Sequence, residues 1–444
     1  MDTYTEKDCR FLLLQEGRAA LDARVELIRG ATRQIKLQTY IWNEDGVGRL
    51  IARELIRAAD RGIQVQILLD DFNTSNELHL FRALNAHPFI NIHLFNPIPK
   101  VWRQGVFRWL HLIWEIRRLN RRMHNKALIV DNQQAIIGGR NIGDEYFDQD
   151  PKFNFLDLDL LCDGPVVAEL STSFDLYWHH EYAKPIKRWF RAQRRRLYRR
   201  RLTRLRREIE PYQPVSGLAE LQAAAITAPA EVVCDTPSSF LSRAPVLQPK
   251  EVAQRLQGLL SEVRQSLTVE SAYLVLNGAE ISQLERLQQD GITVQLLTNS
   301  LATNDVLANH AGFRNSRRAL LEKGLAVHEL AVSQGELPKL GLHGKALVID
   351  HHTLFLGSYN LNERSALLNS ELALIIHHPG LAGQVEEVIE KLIATSWRPE
   401  LDTDGSTEWR RPGDARVWKN EPEAGLLRRA ISRFLSWWSM SRYF

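Results

Sequence analysis

Short apolar runs alternate with amphipathic stretches along the chain, and this alternation occurs twice. The first copy predicts a helix, a strand, a helix and a strand, at 21–28, 35–42, 48–59 and 61–70. The second copy predicts the same order of elements, at 252–263, 267–275, 280–289 and 291–298. Strands that alternate with helices indicate βαβ units with a central, helix-covered sheet, so the pattern predicts an α/β protein made by duplication. Gly62 and Gly291 each stand where a helix must end before a strand, which favours a residue tolerant of positive φ.

A proline-rich segment joins the two copies. Six prolines lie between Pro211 and Pro249, and they exclude one continuous helix there. A strand at 231–234 would interrupt an otherwise irregular connector. We therefore predict two domains, residues 1–210 and residues 211–444, each with one copy of the repeat.

The strongest signal is a pair of motifs related by a shift of 219 residues. The first consists of His124, Lys126 and Asp131, followed by Gly138, Gly139 and Asn141. The second consists of His343, Lys345 and Asp350, followed by Gly357, Ser358 and Asn360. A single His-x-Lys pair would be a weak sign of function. Two copies with equal spacing inside a larger repeat make coincidence a poor explanation.

The residue types in these motifs suit phosphoryl chemistry. Residues two apart on a strand share a face, so each imidazole lies beside an ammonium group. The ammonium can bind a phosphoryl oxygen, and a neutral imidazole can attack phosphorus or carry a proton near neutral pH. Gly139 and Ser358 allow close backbone approach, while Asn141 and Asn360 add amide donors for a phosphate. We include Asp131 and Asp350 in the catalytic set as motif members, although their position at strand ends predicts a structural role.

Composition and charge narrow the class of protein. The chain has 444 residues, of which 44% are hydrophobic, and a net charge of only +4, as expected for a globular protein. The charge is uneven, because the segment 184–207 holds thirteen Lys or Arg and no acid. Three widely spaced cysteines suit a reducing compartment. The sequence contains no run of about 20 apolar residues and no signal-peptide pattern, so we expect any membrane contact to be peripheral.

The paired motifs resemble the HxKx4D signature of the phospholipase D superfamily, here present in two intact copies. The resemblance extends to the bacterial cardiolipin synthases, most closely to their C type, and covers nearly the whole chain. It is carried by several further segments: Leu37–Trp42, Leu94–Pro97, Arg118–His124, Gly138–Asp144, Thr298–Asp305 and Arg364–Asn369.

This resemblance implies a fold and a mechanism. The fold would be an α-β-α-β-α double sandwich whose halves are related by a pseudo-twofold axis and share one active site. His124 would attack the phosphorus of a phosphatidyl donor and form a phosphohistidine, and His343 would act first as acid and then as base. Lys126, Lys345 and the two asparagines would bind the phosphoryl oxygens. We expect neither a metal nor another cofactor, because the lysines already supply positive charge.

Each histidine also needs a partner that fixes its tautomer. Asp157 and Glu371 match the positions of such carboxylates in the family. Asp159 is the competing choice in the first half, because it lies two residues further on and on the same strand face.

Basic and aromatic segments suggest contact with an anionic phospholipid membrane. In and just after 184–207, the apolar residues Tyr198, Leu202, Leu205 and Ile209 recur at helical spacing, which favours an interfacial helix. A nucleic-acid arm is one alternative, and a solvated basic helix or flexible connector is the other. Residues 101–114 mix aromatics with arginines, and the C-terminal run 426–438 is also amphipathic. For both stretches, packing on the protein body is the alternative to membrane contact. The predicted lipid-binding residues are Trp102, Arg103, Trp109, Trp114, Trp189, Arg194, Arg195, Arg196, Arg199, Arg200 and Arg201.

We therefore predict a cardiolipin synthase-like phosphatidyltransferase at the cytoplasmic face of the bacterial inner membrane. Phosphatidylglycerol would be one substrate and phosphatidylethanolamine a candidate donor. The alternatives are a phospholipase D hydrolase that forms phosphatidic acid and a nucleic-acid phosphodiesterase of the same superfamily. Nucleic acid is not a partner in the main prediction. The need for an accessory protein stays open.

Overall fold

The computed structural model describes residues 8–72, 78–97, 118, 120–186, 195–208, 212–215, 217–238, 247–332 and 338–437. The strands before residue 210 are β1 Asp8–Leu14, β2 Gln34–Thr39, β3 Gln64–Asp70, β4 Ile90–Phe95, β5 Ala127–Val130, β6 Gln134–Gly138, β7 Phe153–Leu156, β8 Asp159–Asp163 and β9 Ala183–Pro185. The helices there are α1 Gly17–Gly30, α2 Gly46–Asp60, α3 Leu78–Leu84, α4 Val166–Trp178 and α5 Arg195–Glu208.

The elements after residue 210 repeat this order. The strands are β10 Ile226–Cys234, β11 Ser266–Ser271, β12 Thr293–Asn299, β13 Ala326–Leu330, β14 Lys339–Leu342, β15 Lys345–Ile349, β16 Thr353–Gly357, β17 Leu372–His377, β18 Arg398–Leu401, β19 Thr407–Arg411 and β20 Asp414–Trp418. The helices are α6 Leu218–Ala223, α7 Glu251–Glu262, α8 Gly278–Gln289, α9 Leu307–Glu322, α10 Pro379–Ile393 and α11 Leu426–Trp437, with a π-helical turn at Arg364–Leu368.

Local chemistry explains where the repeated helices begin and end. The Asp45 carboxylate accepts the backbone N–H of Gly48 at the start of α2, and Asn277 forms a capping box with Glu280 at the start of α8. Gly62 and Gly291 follow these helices with φ of +92° and +83°. The expected positive φ at both glycines is therefore confirmed.

One sheet of fifteen strands runs through both halves, in the order β13-β12-β11-β15-β16-β17-β10-β1-β8-β6-β5-β2-β3-β4-β9. From the β10–β1 junction outwards, each half presents its strands in the same relative order, and β9 extends the edge of the first half. This correspondence is what a pseudo-twofold axis between duplicated halves produces. The predicted α/β class and duplicated architecture are confirmed.

The junction between the halves lies in the proline-rich segment. Strand β10 pairs with β1 through residues 226–229 and with β17 through residues 230–234. Pro229 stands where the pairing changes from one neighbour to the other, a position where its missing N–H breaks no continuous ladder. The strand is longer than the predicted 231–234, and the connector is accordingly more regular than expected. The boundary near residue 210 falls between α5 and α6 and stays a prediction.

The sheet separates three apolar cores. Ala127 and Ile129 of β5 face a middle core that contains α4 and α10, whereas Leu128 and Val130 face the helices of the first half. In β15 the same alternation places Ala346 in the middle core and Leu347 in the core of the second half. Helices therefore lie in the middle and on both outer sides of the sheet, which is the expected α-β-α-β-α arrangement.

The basic helix α5 packs differently from the prediction. Tyr198, Leu202 and Leu205 are buried, and α5 contacts α2 and α3. The apolar stripe that we expected at a membrane interface is therefore used to attach the helix to the protein body, and that expectation was wrong. The exposed face of α5 instead carries arginines, among them Arg196, Arg199 and Arg200.

Within the described part of the chain, no helix combines the length and the apolarity needed to cross a bilayer.

Candidate active site

Each motif histidine is held by backbone from the other half of the molecule. The His124 N–H donates to the Ser370 carbonyl at 2.9 Å, and the His343 N–H donates to the Leu156 carbonyl at 2.7 Å. Strand β14, which leads to His343, pairs with β7 of the first half in a separate two-stranded sheet. Both histidines therefore lie where the halves meet.

The carboxylate partners are exchanged between the halves. His124 Nδ1 lies 2.9 Å from Glu371 Oε2, and His343 Nδ1 lies 2.5 Å from Asp157 Oδ2. A carboxylate only accepts, so each Nδ1–H donates and each Nε2 keeps its lone pair. Both imidazoles are thus fixed in the tautomer that can attack phosphorus or accept a proton through Nε2.

Further hydrogen bonds hold Glu371 in place. Ser358 Oγ donates to its Oε2 at 2.5 Å, and Ser365 Oγ, from the π-helical turn, donates to its Oε1 at 2.7 Å. Gly139 occupies the position of Ser358 in the first half, where a Cβ atom would lie 2.1 Å from Asp157 Oδ1. The first motif therefore has Gly where the second has Ser, because Asp157 approaches the backbone at residue 139 too closely for a side chain.

The two lysines are buried with the histidines. His124, Lys126, His343 and Lys345 are all less than a tenth exposed. Each lysine ammonium donates to the carbonyl of the histidine two residues before it. Lys345 acts on the pKa of His124 and Lys126 acts on that of His343, so the four groups belong to one electrostatic site.

Burial and positive charge determine the protonation of the site. Burial, together with the nearby lysines, lowers the pKa of His124 to about 4 and that of His343 to about 3. Burial also lowers the pKa of Lys126 to about 7. The pKa of Glu371 is lowered because His124, Lys126 and Ser358 together outweigh the effect of its burial. Both imidazoles are therefore neutral at pH 7, facing ionised carboxylates.

The predicted asparagines lie beside the motifs. Asn141 Oδ1 accepts the Ile41 N–H at 3.2 Å, which directs its amide nitrogen away from that backbone. The Asn360 N–H donates to Ser365 Oγ at 3.3 Å. Asn360 Oδ1 is buried and has no hydrogen-bond partner among the described residues. An unpaired buried amide oxygen of this kind is costly unless a ligand completes it.

The motif aspartates lie at the other end of their strands, about 16 Å along the chain from the lysines at the usual rise per residue. The Asp131 carboxylate accepts the backbone N–H groups of Thr32, Arg33 and Gln34 at 2.8 Å each. Asp350 binds the equivalent backbone at 264–266. Both side chains therefore fix the start of a neighbouring strand, and the geometry removes them from the set that contacts the reacting groups.

Several other candidates are settled by position. Asp159 pairs with Arg24 at 2.8 Å and with Arg140 at 3.2 Å, so Asp157 is the carboxylate at a histidine.

The predicted lipid-binding and metal-binding residues have other outcomes. Among the lipid-binding arginines, Arg201 pairs with Glu44. The described residues contain no group of His, Cys, Asp and Glu arranged to bind a metal ion. Six predicted lipid-binding residues lie outside the described residues: Trp102, Arg103, Trp109, Trp114, Trp189 and Arg194. The side chain of Arg195 is not described.

Comparison with known proteins assigns this site to a family. The sequence model of the family described as "Cardiolipin synthase, PLD-like domain" matches residues 25–178 and 256–393. The first range contains the motif of His124 and Lys126, and the second contains the motif of His343 and Lys345. The chain belongs to the cardiolipin synthase family of phospholipase D-like phosphatidyltransferases.

Relatives within the cardiolipin synthase family align along nearly the full chain. Cardiolipin synthase C of Escherichia coli K12 is 32% identical over 96% of this chain and 94% of its own. A cardiolipin synthase of Staphylococcus aureus Mu50 is 24% identical, over 88% of this chain and 68% of its own. The solved phosphatidylserine synthase of Haemophilus influenzae Rd KW20 superposes with a TM-score of 0.63 at 17% identity, covering 96% of this chain and 91% of that one. This last similarity concerns the fold.

Two buried residues of this family member were missed by sequence reasoning. Ser365 lies in a segment that carried the resemblance, but nothing in the sequence indicates that it binds Glu371. Glu270 is a buried carboxyl near the end of β11, and one of its oxygens, Oε2, has no hydrogen-bond partner among the described residues. Burial and the nearby Asp157 raise its pKa to about 8. A lone acid inside an apolar strand was the signal that could have revealed it.

Proposed function

We propose that the protein transfers a phosphatidyl group from one phospholipid to another through a phosphohistidine, and forms cardiolipin from phosphatidylglycerol. The observation that carries the proposal is the pair of buried histidines whose Nδ1 atoms are bound to carboxylates of the opposite half. This leaves one Nε2 available as nucleophile and another as proton carrier at a single site with two lysines. Family membership supports the phosphatidyl transfer.

In the first step, His124 Nε2 attacks the phosphorus of the donor phospholipid. An N–P bond forms and the bond between phosphorus and the head-group oxygen breaks. The departing oxygen takes a proton from His343, so the head group leaves as an alcohol. Glu371 stabilises the positive charge that develops on the His124 ring during attack.

In the second step, His343 Nε2 accepts the hydroxyl proton of a phosphatidylglycerol molecule. Its oxygen attacks phosphorus, the N–P bond breaks and His124 becomes neutral again. With phosphatidylglycerol as donor, the products are cardiolipin and glycerol. With phosphatidylethanolamine as donor, they are cardiolipin and ethanolamine. One phosphodiester replaces another, so no external energy source is required.

Substrate binding would let His343 take up from solvent the proton that this cycle needs. His343 is neutral because it is buried and because Lys345 and Lys126 repel an additional positive charge. A phosphodiester anion bound between the lysines offsets that repulsion and raises the pKa of His343. The general acid would therefore be charged only when a donor is present. The same anion would accept hydrogen bonds from the ammonium groups of Lys126 and Lys345 and from the side-chain NH2 groups of Asn141 and Asn360.

Lipid analysis tests the reaction. Purified protein is incubated with phosphatidylglycerol vesicles, with and without phosphatidylethanolamine, and the products are separated. We expect cardiolipin, with ethanolamine release if phosphatidylethanolamine is a donor. Phosphatidic acid without cardiolipin would favour the hydrolase, and DNA cleavage with unchanged lipids would favour the phosphodiesterase.

Trapping the intermediate tests the roles of the histidines. A donor labelled in its phosphate should leave label on the wild-type protein after rapid denaturation at alkaline pH. His124→Ala should abolish this labelling, whereas His343→Ala should slow it without removing the acceptor atom. Loss of label in His343→Ala, but not in His124→Ala, would reverse the assignment.

We also propose that the protein acts at the cytoplasmic face of the bacterial inner membrane as a peripheral protein. Three cysteines that form no disulfide suit the reducing cytoplasm. Its proposed substrates are lipids of that membrane, and the exposed arginines of α5 suit an anionic surface.

A further inference from the structure

The C-terminal helix α11 packs with its polar face against the protein. Ser432 is buried, and its Oγ lies 3.1 Å from His310 Nδ1 of α9. Arg314 of α9 reaches Ser436 at 3.5 Å. Arg428 donates to the backbone carbonyls of Leu301 and Asn304. Polar contacts of this kind attach α11 to α9 and to the loop before it.

The apolar face of α11 points to solvent. Leu427, Ile431 and Phe434 lie along one side of the helix at spacings of four and three, and they are 76%, 37% and 54% exposed. Trp437, near the end of the helix, is 85% exposed. Amphipathic helices of globular proteins normally bury this face. The orientation of α11 is therefore the reverse of the usual one.

The helix begins close to the active site. The loop that Arg428 holds continues to Asp305, whose carboxylate accepts the Tyr273 hydroxyl at 2.8 Å. The Tyr273 ring lies 6.4 Å from the His343 ring. A surface that binds α11 from outside would therefore also approach the side of the molecule where the histidines lie.

Helix α5 occupies the corresponding place in the first half. It packs on α3, which follows β3, just as α11 packs on α9, which follows β12. The two helices have opposite orientations: α5 buries its apolar stripe and exposes arginines, whereas α11 binds through polar groups and exposes its apolar side. Helix α5 thus exposes positive charge, whereas α11 exposes apolar side chains.

We propose that the exposed face of α11 inserts into the interfacial layer of an anionic phospholipid bilayer and holds the active site against its substrate. The choice of a bilayer rests on the proposed function, because phosphatidylglycerol, the proposed substrate, is itself an anionic lipid. Charge complementarity supports it, since α11 contains three arginines and no acid. Exposed apolar residues flanked by arginines are the composition of helices that lie in the headgroup layer.

Vesicle co-sedimentation tests the proposal. The double variant Leu427→Gln/Ile431→Gln is compared with the control Leu176→Gln/Val417→Gln, which changes two exposed apolar side chains elsewhere. With vesicles of phosphatidylglycerol and phosphatidylcholine, the α11 variant should bind about tenfold to a hundredfold more weakly than wild type, and the control should bind as wild type does. At about 0.5 M salt, where charge is screened, the wild type should keep more binding than the α11 variant.

A soluble substrate separates this proposal from the proposed function. Short-chain phosphatidylglycerol, used below its micelle concentration, should be converted equally by wild type and by the α11 variant. No conversion by either protein would contradict the proposed function while leaving the vesicle result interpretable. Equal vesicle binding by wild type and the α11 variant would overturn the inference. A wild-type dimer that the α11 variant converts to a monomer would also overturn it, because a second copy would then cover this face.

Discussion

At the scale of single residues, the site depends on carboxylates that belong to the other half of the chain. Glu371 is the clearest case, because His124 Nδ1, Ser358 and Ser365 all bind it. Its negative charge fixes the His124 tautomer and stabilises the charge that the ring gains on attack. A neutral side chain could accept the Nδ1–H bond, but it could not stabilise that positive charge.

Replacing Glu371 with Gln should therefore slow phosphoenzyme formation, by up to the roughly ten-thousandfold effect of an Asp-to-Asn change in a catalytic triad. Gln is nearly isosteric, so the protein should remain folded by circular dichroism. The measurement is the rate of label incorporation from a phosphate-labelled donor. Glu231→Gln, which changes a half-exposed acid on β10, should leave that rate unchanged. An unaltered rate in Glu371→Gln would mean that the carboxylate does not orient His124.

The second residue-scale prediction concerns Glu270 and pH. Its pKa is raised to about 8, above the ordinary value of 4.5, mainly by burial. Between these values the folded state holds a proton that the unfolded state releases, so this group's contribution to stability is lost as pH rises through that window. Because one pKa unit corresponds to about 1.4 kcal/mol, the loss amounts to a few kcal/mol.

Glu270→Gln removes this titration. The free energy of unfolding of the variant, relative to wild type, should therefore increase steadily from pH 5 to pH 8, since all other titrating groups are shared. Urea unfolding at pH 5, 6, 7 and 8 measures the difference. A difference that does not change with pH would show that Glu270 is ionised in the folded protein throughout.

The sequence alone predicted most of the groups at this site, but not how they pair. The spacing of His124 and Lys126, repeated at His343 and Lys345, was enough to identify the groups at the site. The sequence could also narrow the carboxylates to Asp157 or Asp159, and to Glu371. It could not show that Asp157 serves His343, because that contact depends on how β7 and β14 pair across the halves. The exchange of histidine–carboxylate partners between the halves depends on tertiary structure, which the sequence pattern does not show.

At the scale of elements, hydrophobic periodicity predicted which face of each helix is apolar. It did not predict what that face contacts. The stripe of Tyr198, Leu202 and Leu205 was correctly located, yet it packs on α2 and α3 and does not face a membrane. In α11 the relation is inverted, with the apolar side exposed. An amphipathic pattern is the same in both cases, and only the surrounding elements decide which side is buried.

The burial of the α5 stripe predicts a stability effect. Leu202→Ala should lower the free energy of unfolding by about 2–4 kcal/mol, as for other leucines in a core. Leu197→Ala, on the exposed side of the same helix, should change it by less than about 0.5 kcal/mol. Urea unfolding of both variants in the absence of lipid measures the contrast. Equal stability of the two variants would contradict the docking of α5 on the protein body.

The exposed side of α5 predicts a binding effect without a stability effect. Arg196→Gln/Arg199→Gln/Arg200→Gln should weaken binding to phosphatidylglycerol vesicles by about a hundredfold at low salt, because each basic residue at such a surface contributes about 1 kcal/mol. A control with the same charge change is Arg318→Gln/Arg398→Gln/Arg410→Gln, at exposed positions of the other half. Equal weakening by both variants would indicate that net charge, and not α5, determines binding.

At the scale of the whole molecule, duplication gives one continuous body. The repeat in the sequence predicted two equivalent halves sharing a site. It did not predict that β10 would pair with both β1 and β17, because that strand lies in a segment whose six prolines suggested an irregular connector. The result is a sheet that continues from one half into the other, with a middle core to which both contribute.

A cut between the halves should therefore leave them associated. Residues 212–217 lie between α5 and α6, and Val215 in this segment is 77% exposed, so a protease site inserted after Gly217 should be accessible. After cleavage, the β1–β10 and β7–β14 pairings, the middle core and both histidine–carboxylate pairs still join the two fragments. We expect the fragments to co-elute in gel filtration without denaturant, to unfold together in one transition and to keep lipid-transfer activity. Fragments that separate at once would show that the chain connection, and not the shared sheet and core, holds the two histidines at one site.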